Sequence, residues 1–410
     1  MSAEPATGLL RATLTLLAGG ALAQALPLLL GPWLTRLYAP AQFGVYHLFA
    51  AVAAMGAVVA CARYEFALPM AADEGEAEAI TALALWLLVG STLLAGVVGL
   101  AWAAWLGEAW PLWLPFAVLA LGAVSLATLA ATRAQRFRTL AAARVLQHGG
   151  GALAQVGAGV AGVGVAGLIA APLFAALAAA LLLRLRWWAW WRVARERLRA
   201  AALKHREFPL FNTPHALAGA LLDAAAIALV AASQGVAAAG FWGLALRYLK
   251  APATLVGGAV SQALYPRLAA AGVSSAARSD VRRVMLVLAG IAAPLVLLLW
   301  LAGPWAFELV FGAAWRDAGE LARALALYIG LHFVASPLAV VTMAWNAQAW
   351  ALRVALVGQV MFIVALALGL SQGGLRGAGW AVSLATLAYF GWYFWRLATW
   401  PLAPVLERAA

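Results

Sequence analysis

Apolar residues along this chain form long runs, and short segments rich in arginine, glycine and proline separate them. A helix of about 20 apolar residues crosses the roughly 30 Å of hydrocarbon in a bilayer. The pattern predicts twelve such spans, at residues 9–30, 43–62, 78–105, 112–131, 144–163, 165–185, 209–232, 238–262, 284–302, 319–344, 351–370 and 375–397. We therefore expect an all-α polytopic membrane protein.

The composition agrees with this class. Hydrophobic residues make up 66% of the 410 residues and charged residues 10%, whereas a soluble domain is about a quarter charged. The single cysteine, Cys61, excludes an intramolecular disulfide and a cysteine-based zinc cluster. The sequence motifs of metal hydrolases, ATPases and serine hydrolases do not occur, so we expect neither catalysis nor a metal or other cofactor. The run from Gly157 to Gly162 matches a dinucleotide fingerprint, but within a span it predicts close helix packing.

Arginine and lysine are distributed unequally between the two sides of the predicted membrane. Of the 27, 21 lie in segments on the side of the N-terminus, four lie on the other side and two lie within a span. Short cytoplasmic loops carry the excess of positive charge in membrane proteins. This asymmetry places both termini in the cytoplasm. Because the cations lie in short loops between spans, the net charge of +12 does not indicate a nucleic-acid surface.

The longest polar segment, Arg184 to Phe208, divides the spans six and six. It predicts an N-terminal bundle at 1–185, a basic, tryptophan-rich linker at 186–208 and a C-terminal bundle at 209–410. Alternating arginine and apolar residues after the tryptophans are typical of an interfacial helix on anionic lipid.

Short sequence matches recur in the two halves. Phe43 to Tyr46 opens the second span as Ala239 to Trp242 opens the eighth, and Leu106 to Trp110 follows the third span as Phe311 to Trp315 follows the ninth. We interpret these matches as a parallel repeat, with two six-helix bundles related by a pseudo-two-fold axis along the membrane normal. Such a repeat predicts a substrate site between the halves.

The eighth span carries two cations near its middle, Arg247 and Lys250. An unpaired cation at that depth costs roughly 2.5–3.5 kcal/mol on insertion scales. At 3.6 residues per turn both fall on a stripe of small and polar residues, namely Gly243, Arg247, Lys250, Thr254, Gly257 and Ser261. One interpretation is a cationic cavity lining for an anionic substrate. The other is that both side chains snorkel to the headgroups, or that the span is drawn a few residues wrong.

Other polar residues also align at membrane depth. In the seventh span His215 and Asp223 share a stripe with Asn212 and Gly219. A structural ion pair with a cation on the eighth span and an ion-coupling role both fit Asp223. In the first span Gln24 either lines a cavity or bonds a neighbouring helix, and the second interpretation is slightly favoured.

Six segments together resemble the signature of bacterial polysaccharide-biosynthesis flippases of the O-antigen type. They agree with that family in order and topology, and they are Gly20 to Pro27, Leu34 to Pro40, Phe43 to Tyr46, Arg63 to Glu65, Lys204 to Leu210 and Ala238 to Trp242. The alanine-rich composition departs from the isoleucine- and lysine-rich sequences common among such flippases, which leaves the substrate more open than the fold.

The resemblance implies a twelve-helix inner-membrane protein of the multidrug/oligosaccharidyl-lipid/polysaccharide exporter superfamily. Such proteins move a polyprenyl-pyrophosphate-linked oligosaccharide from the cytoplasmic to the periplasmic leaflet by alternating access, for surface polysaccharides such as the O-antigen of lipopolysaccharide. Such a charged headgroup suits the cations of the eighth span, so we expect Arg247 and Lys250 to contact the pyrophosphate. By their place in the matched motifs, Arg36 and Arg63 are candidates for entry or exit cations. The implied partners are this lipid-linked oligosaccharide, membrane lipid, a proton or sodium ion, and other polysaccharide-assembly proteins.

Two alternatives remain. An ion-coupled exporter of small organic molecules from the same superfamily would be expected to have an acidic cavity, yet apart from Asp223 the charge placed at the midplane is positive. A membrane glycan polymerase or ligase needs a large outer loop, and the longest outer segments predicted here have about 15–17 residues.

Overall fold

The computed structural model describes residues 4–185, 187 and 189–401. Arg186 and Trp188, which belong to the predicted interfacial segment, lie outside the described residues. The α-helices, numbered in chain order, are α1 Glu4–Leu37, α2 Pro40–Val59, α3 Glu74–Leu106, α4 Leu114–Arg133, α5 Phe137–Arg144, α6 Gly151–Val160, α7 Val165–Leu182, α8 Ala189–Arg192, α9 Arg195–Lys204, α10 Thr213–Gln234, α11 Val236–Ala271, α12 Ser275–Phe311, α13 Arg316–Ala344 and α14 Gln348–Ala398.

The predicted all-α fold of twelve spans is confirmed, and each apolar run coincides with a helix or part of one. A π-helical turn at Val145–Gly150 joins α5 to α6, so these three segments form the fifth span. The last two spans lie in α14, which is interrupted by non-helical backbone at Gly373 and Gly374. Within the described residues, eight helices are long and apolar enough by themselves to cross a membrane.

The chain forms two compact units, Met1–Ile227 and Ala228–Ala410. The division falls inside α10, beyond the basic linker, and the domain boundary predicted at residues 186–208 stays a prediction. In the first unit α3, α4 and α7 enclose a core that includes the fully buried Ile80, Leu126 and Ile169. In the second unit α13 is the central helix. In its most apolar stretch 67% of the residues are buried, against 17% in the corresponding stretch of α12.

Glycines with positive φ stand at corresponding places in the two units. Gly107 and Gly312, both with positive φ, end α3 and α12, and a short 3-10 helix then leads into α4 and α13. A glycine with φ near 60–70° and ψ of −148° precedes the sixth span of each unit, at Gly164 and at Gly374. Glycine adopts this backbone conformation without the steric cost that a Cβ would add. The sequence repeat is therefore also a repeat of local structure.

The linker helix α9 is fixed to the start of α3 in the first unit. Glu76 accepts from the Nζ atom of Lys204 and contacts the Nε2 atom of His205, each at 2.7 Å. Arg197 donates to the carbonyl of Gly75 at 2.6 Å, on the same side of α9. The basic face of α9 is thus partly a contact with α3, in addition to any contact with lipid that the sequence predicts.

Candidate functional site

Helix α11 carries the predicted cationic stripe and has two different faces. Leu244, Leu249 and Ala253 are buried on the face that packs against α13. A second face stays open within the structure and is mixed in character, with Thr254 and Gln262 exposed beside Leu255 and Ala259. The two cations, Arg247 and Lys250, lie on this helix of 36 residues.

The stripe itself is divided between the two faces, which corrects the interpretation that its whole length lines a cavity. Gly257 is buried, and a Cβ added there would lie 3.3 Å from the hydroxyl oxygen of Ser336. The Ser261 hydroxyl donates to the carbonyl of Pro337 at 3.1 Å. Small side chains at these two positions allow α13 to approach closely. The C-terminal part of the stripe is therefore a helix contact.

Lys250 lies where the two faces of α11 meet, half-buried beside aromatic residues of α13. Its Nζ atom is 5.8 Å from the ring centroid of Tyr328. The ring centroids of Tyr328 and His332, one helical turn apart on α13, are separated by 5.8 Å. An ammonium group within about 6 Å of an aromatic ring centroid is attracted by its face. Tyr328 thus holds Lys250 in place without neutralising its charge.

Arg247 is also half-buried and precedes Lys250 by about one turn of α11. Residues three apart on a helix are neighbours, so the two cationic groups can reach one anion. A guanidinium group binds phosphate oxygens in a fork, and an ammonium group binds them as a compact charge. Lys250, Arg247, Tyr328 and His332 are called the α11–α13 cluster below. Its chemistry favours an anionic ligand.

Sequence reasoning did not select Tyr328 and His332. Both lie in the apolar run at 319–344, where their spacing of four residues places them on one helix face. An ionisable residue at membrane depth is a functional candidate by default, and this signal was present for His332. The contact of α13 with α11 decides which groups His332 faces.

The remaining predicted site residues lie in the first unit. Gln24, His215 and Asp223 are exposed in the structure. Arg36 is exposed as well, and its Nη1 atom donates to the carbonyl of Pro32 at 2.8 Å. The pairing or coupling role of Asp223 stays a prediction.

Arg63 and Glu65 follow α2 in a tight turn that begins with positive φ at Ala62 and Arg63. The guanidinium carbon of Arg63 is 4.9 Å from the ring centroid of Phe66. Glu65 is only 2% exposed, and Ser125 approaches its Oε1 atom at 3.4 Å. Burial raises the pKa of the Glu65 carboxyl, although its own backbone N–H, the charge of Arg63 and the Ser125 hydroxyl oppose the shift. Glu65 is therefore a buried acidic side chain of the first unit.

A sequence profile of the family described as "Polysaccharide biosynthesis protein" matches residues 33–320, more than half of the chain. The chain belongs to this family. The match to this polysaccharide biosynthesis family includes Arg36, Arg63, Arg247 and Lys250, whereas His332 lies beyond it. A search among curated proteins finds no match.

Solved structures with the same fold are transporters. An inward-facing multidrug resistance MATE family transporter of the MOP superfamily aligns with 93% of this chain and 94% of its own, at a TM-score of 0.69 and 15% identity. A mutant of the Vibrio cholerae MATE transporter VcmN aligns over 96% of each chain, at 0.58 and 15%. A MOP superfamily transporter from Pyrococcus furiosus aligns over 95% of each chain, at 0.54 and 14%. At these identities the likeness establishes the fold alone.

Proposed function

We propose that this member of the polysaccharide biosynthesis family moves a polyprenyl-pyrophosphate-linked oligosaccharide from the cytoplasmic to the periplasmic leaflet of the bacterial inner membrane. The α11–α13 cluster is the observation that carries the proposal, because it keeps two cations on a helix of a transporter fold. The proposed mechanism is alternating access, with the product used for a surface polysaccharide such as O-antigen.

The physical chemistry of the substrate supports this assignment. A pyrophosphate group carries two or three negative charges, which hydrocarbon cannot solvate. Two opposite unit charges 4 Å apart interact by about 4 kcal/mol at an effective dielectric constant of 20. The cations at Arg247 and Lys250 would each supply an attraction of this order. Burying Lys250 beside Tyr328 is costly unless the charge serves a ligand.

The test removes both cations. We expect the Arg247→Ala/Lys250→Ala variant to insert in the membrane and to lose translocation of lipid-linked oligosaccharide, measured by the appearance of labelled glycan at the outer face of proteoliposomes. The matched control is Arg267→Ala, which removes an exposed arginine from the same helix. Translocation by the inserted double variant at the rate of the parent would refute the cationic site.

A second candidate function is ion-coupled export of small organic molecules. The observation that favours it is the fold, since the similar MATE structures include a multidrug resistance transporter. A positively charged site would repel organic cations, so this function requires anionic or neutral molecules. The same proteoliposomes decide between the two candidates, because an exporter would move fluorescent small molecules and leave the lipid-linked glycan in place.

A further inference from the structure

A polar cavity of about 580 Å³ lies in the first unit. It is enclosed by the 3-10 turn Tyr64–Met70, the start of α3, the end of α4 and the two residues Arg184 and Leu185 that follow α7. Its lining includes five charged side chains, namely Glu74, Glu78, Arg133, Arg136 and Arg184. The charge distribution of the sequence assigns this end of the bundle to the cytoplasm. None of these residues belongs to the α11–α13 cluster.

The arginines of the cavity differ in what they contact. Arg133 donates to the carbonyls of Leu68 and Ala71 and pairs with Glu74 at 3.2 Å, so it is fixed within the wall. Arg136 follows a turn with positive φ at Gln135, and Arg184, with φ of 52°, is exposed. Arg136 and Arg184 are therefore available to a ligand.

Two polar atoms of the cavity wall are closed off from the cavity. The Nε atoms of Arg133 and Arg136 are buried, and neither has a hydrogen-bond partner among the described residues. A ligand in the cavity would therefore contact other atoms of the arginine side chains. The positive charges of Arg136 and Arg184, which both line the cavity, attract an anionic ligand.

We propose that this cavity binds the phosphate group of a lipid headgroup from the cytoplasmic leaflet. Guanidinium groups match the geometry of phosphate oxygens, and the three arginines exceed the two glutamates in charge. The apolar part of α3 begins beside the cavity, so the chain of a bound lipid can stay in the bilayer. The headgroup belongs either to a polyprenyl pyrophosphate or to a membrane phospholipid.

The test measures binding to the full-length protein in detergent by isothermal titration calorimetry, with farnesyl pyrophosphate and short-chain phosphatidylglycerol as probes. The Arg247→Ala/Lys250→Ala background excludes binding at α11. In that background Arg136→Gln and Arg184→Gln should each weaken binding about tenfold, as expected for one lost charge-assisted hydrogen bond. Arg138→Gln is the control, because Arg138 is exposed and does not line the cavity, and it should leave the affinity unchanged.

The two probes distinguish the two headgroups. If Arg136→Gln and Arg184→Gln lose affinity only for farnesyl pyrophosphate, the cavity binds the polyprenyl pyrophosphate headgroup. If they lose affinity for phosphatidylglycerol, it binds a phospholipid. Arg184→Gln alters an exposed side chain, so it keeps the test valid should Arg136→Gln fail to fold. The proposal is overturned when neither probe binds saturably, or when the variants of the cavity and Arg138→Gln bind equally. Neither result depends on whether the protein translocates oligosaccharide.

Discussion

The contact between α12 and α13 leaves no room for a side chain at Gly319. A Cβ placed there would lie 2.5 Å from the Cα atom of Pro304, 2.7 Å from the carbonyl oxygen of Gly303 and 3.0 Å from the Cβ atom of Phe307. Ordinary van der Waals contact of a Cβ begins near 3.4 Å. Two of the three obstructing atoms belong to the backbone, so a rotamer change cannot relieve the overlap. The Gly319→Ala substitution must move one helix against the other.

Two opposing effects set the change in the free energy of unfolding that Gly319→Ala causes. Alanine stabilises a helix relative to glycine by roughly 0.5–1 kcal/mol, and overpacking by a methyl group costs typically about 1–3 kcal/mol. Gly290→Ala isolates the first effect, because a Cβ at Gly290 on α12 meets nothing within 4 Å. We therefore expect Gly290→Ala to stabilise the protein slightly and Gly319→Ala to destabilise it by about 1–2 kcal/mol.

The free energy of unfolding can be measured for both variants by titration with sodium dodecyl sulfate, followed by circular dichroism. The ordering of the variants is the decisive result. If Gly319→Ala is as stable as Gly290→Ala, the two helices do not pack as closely as described. The displacement of α13 should also weaken binding of pyrophosphate, because α13 carries the Tyr328 ring that holds Lys250.

Two other predictions concern acidic residues of the first unit. Burial raises the pKa of Glu65 in the folded protein, so ionisation of this carboxyl disfavours the folded state. The melting temperature of the parent should therefore fall as the pH rises above 4.5, the ordinary pKa of a glutamate. The Glu65→Gln variant should lack this fall. Parallel pH profiles of the two proteins would contradict the reasoning. If Asp223 carries a coupling proton, Asp223→Asn should abolish the dependence of transport on pH and membrane potential in proteoliposomes. An unchanged dependence would rule out that role, and Asp280→Asn provides a control at another exposed aspartate.

Much of the fold could be predicted from the sequence because the bilayer imposes simple rules. Runs of about 20 apolar residues located all twelve spans, and one short match located the corresponding turns at Gly107 and Gly312. Helix ends were less accurate. The chain continues as helix past the apolar run in α11 and α12, because polar residues at a membrane surface form helices as readily as loops.

The candidate site could be predicted only in part. Arg247 and Lys250 were identifiable by their cost in a span, which is a property of the sequence. Their environment depends on which face of α11 meets α13, and helical periodicity does not specify the partner. For that reason helical periodicity groups Gly257 and Ser261 with the two cations, although these two residues contact α13. It also does not single out Tyr328 and His332 as site residues.

The sequence by itself determined the class of the protein, the number and order of its spans and the presence of two cations within one apolar run, because hydrophobic length and charge act locally along the chain. Tertiary structure decided which polar residues are used together. It placed Tyr328 beside Lys250, buried Glu65 and enclosed three arginines from α4, the turn after it and the end of α7 around one cavity. These juxtapositions join residues far apart in the chain, and the local rules of hydrophobic length and charge do not specify which helices pack together.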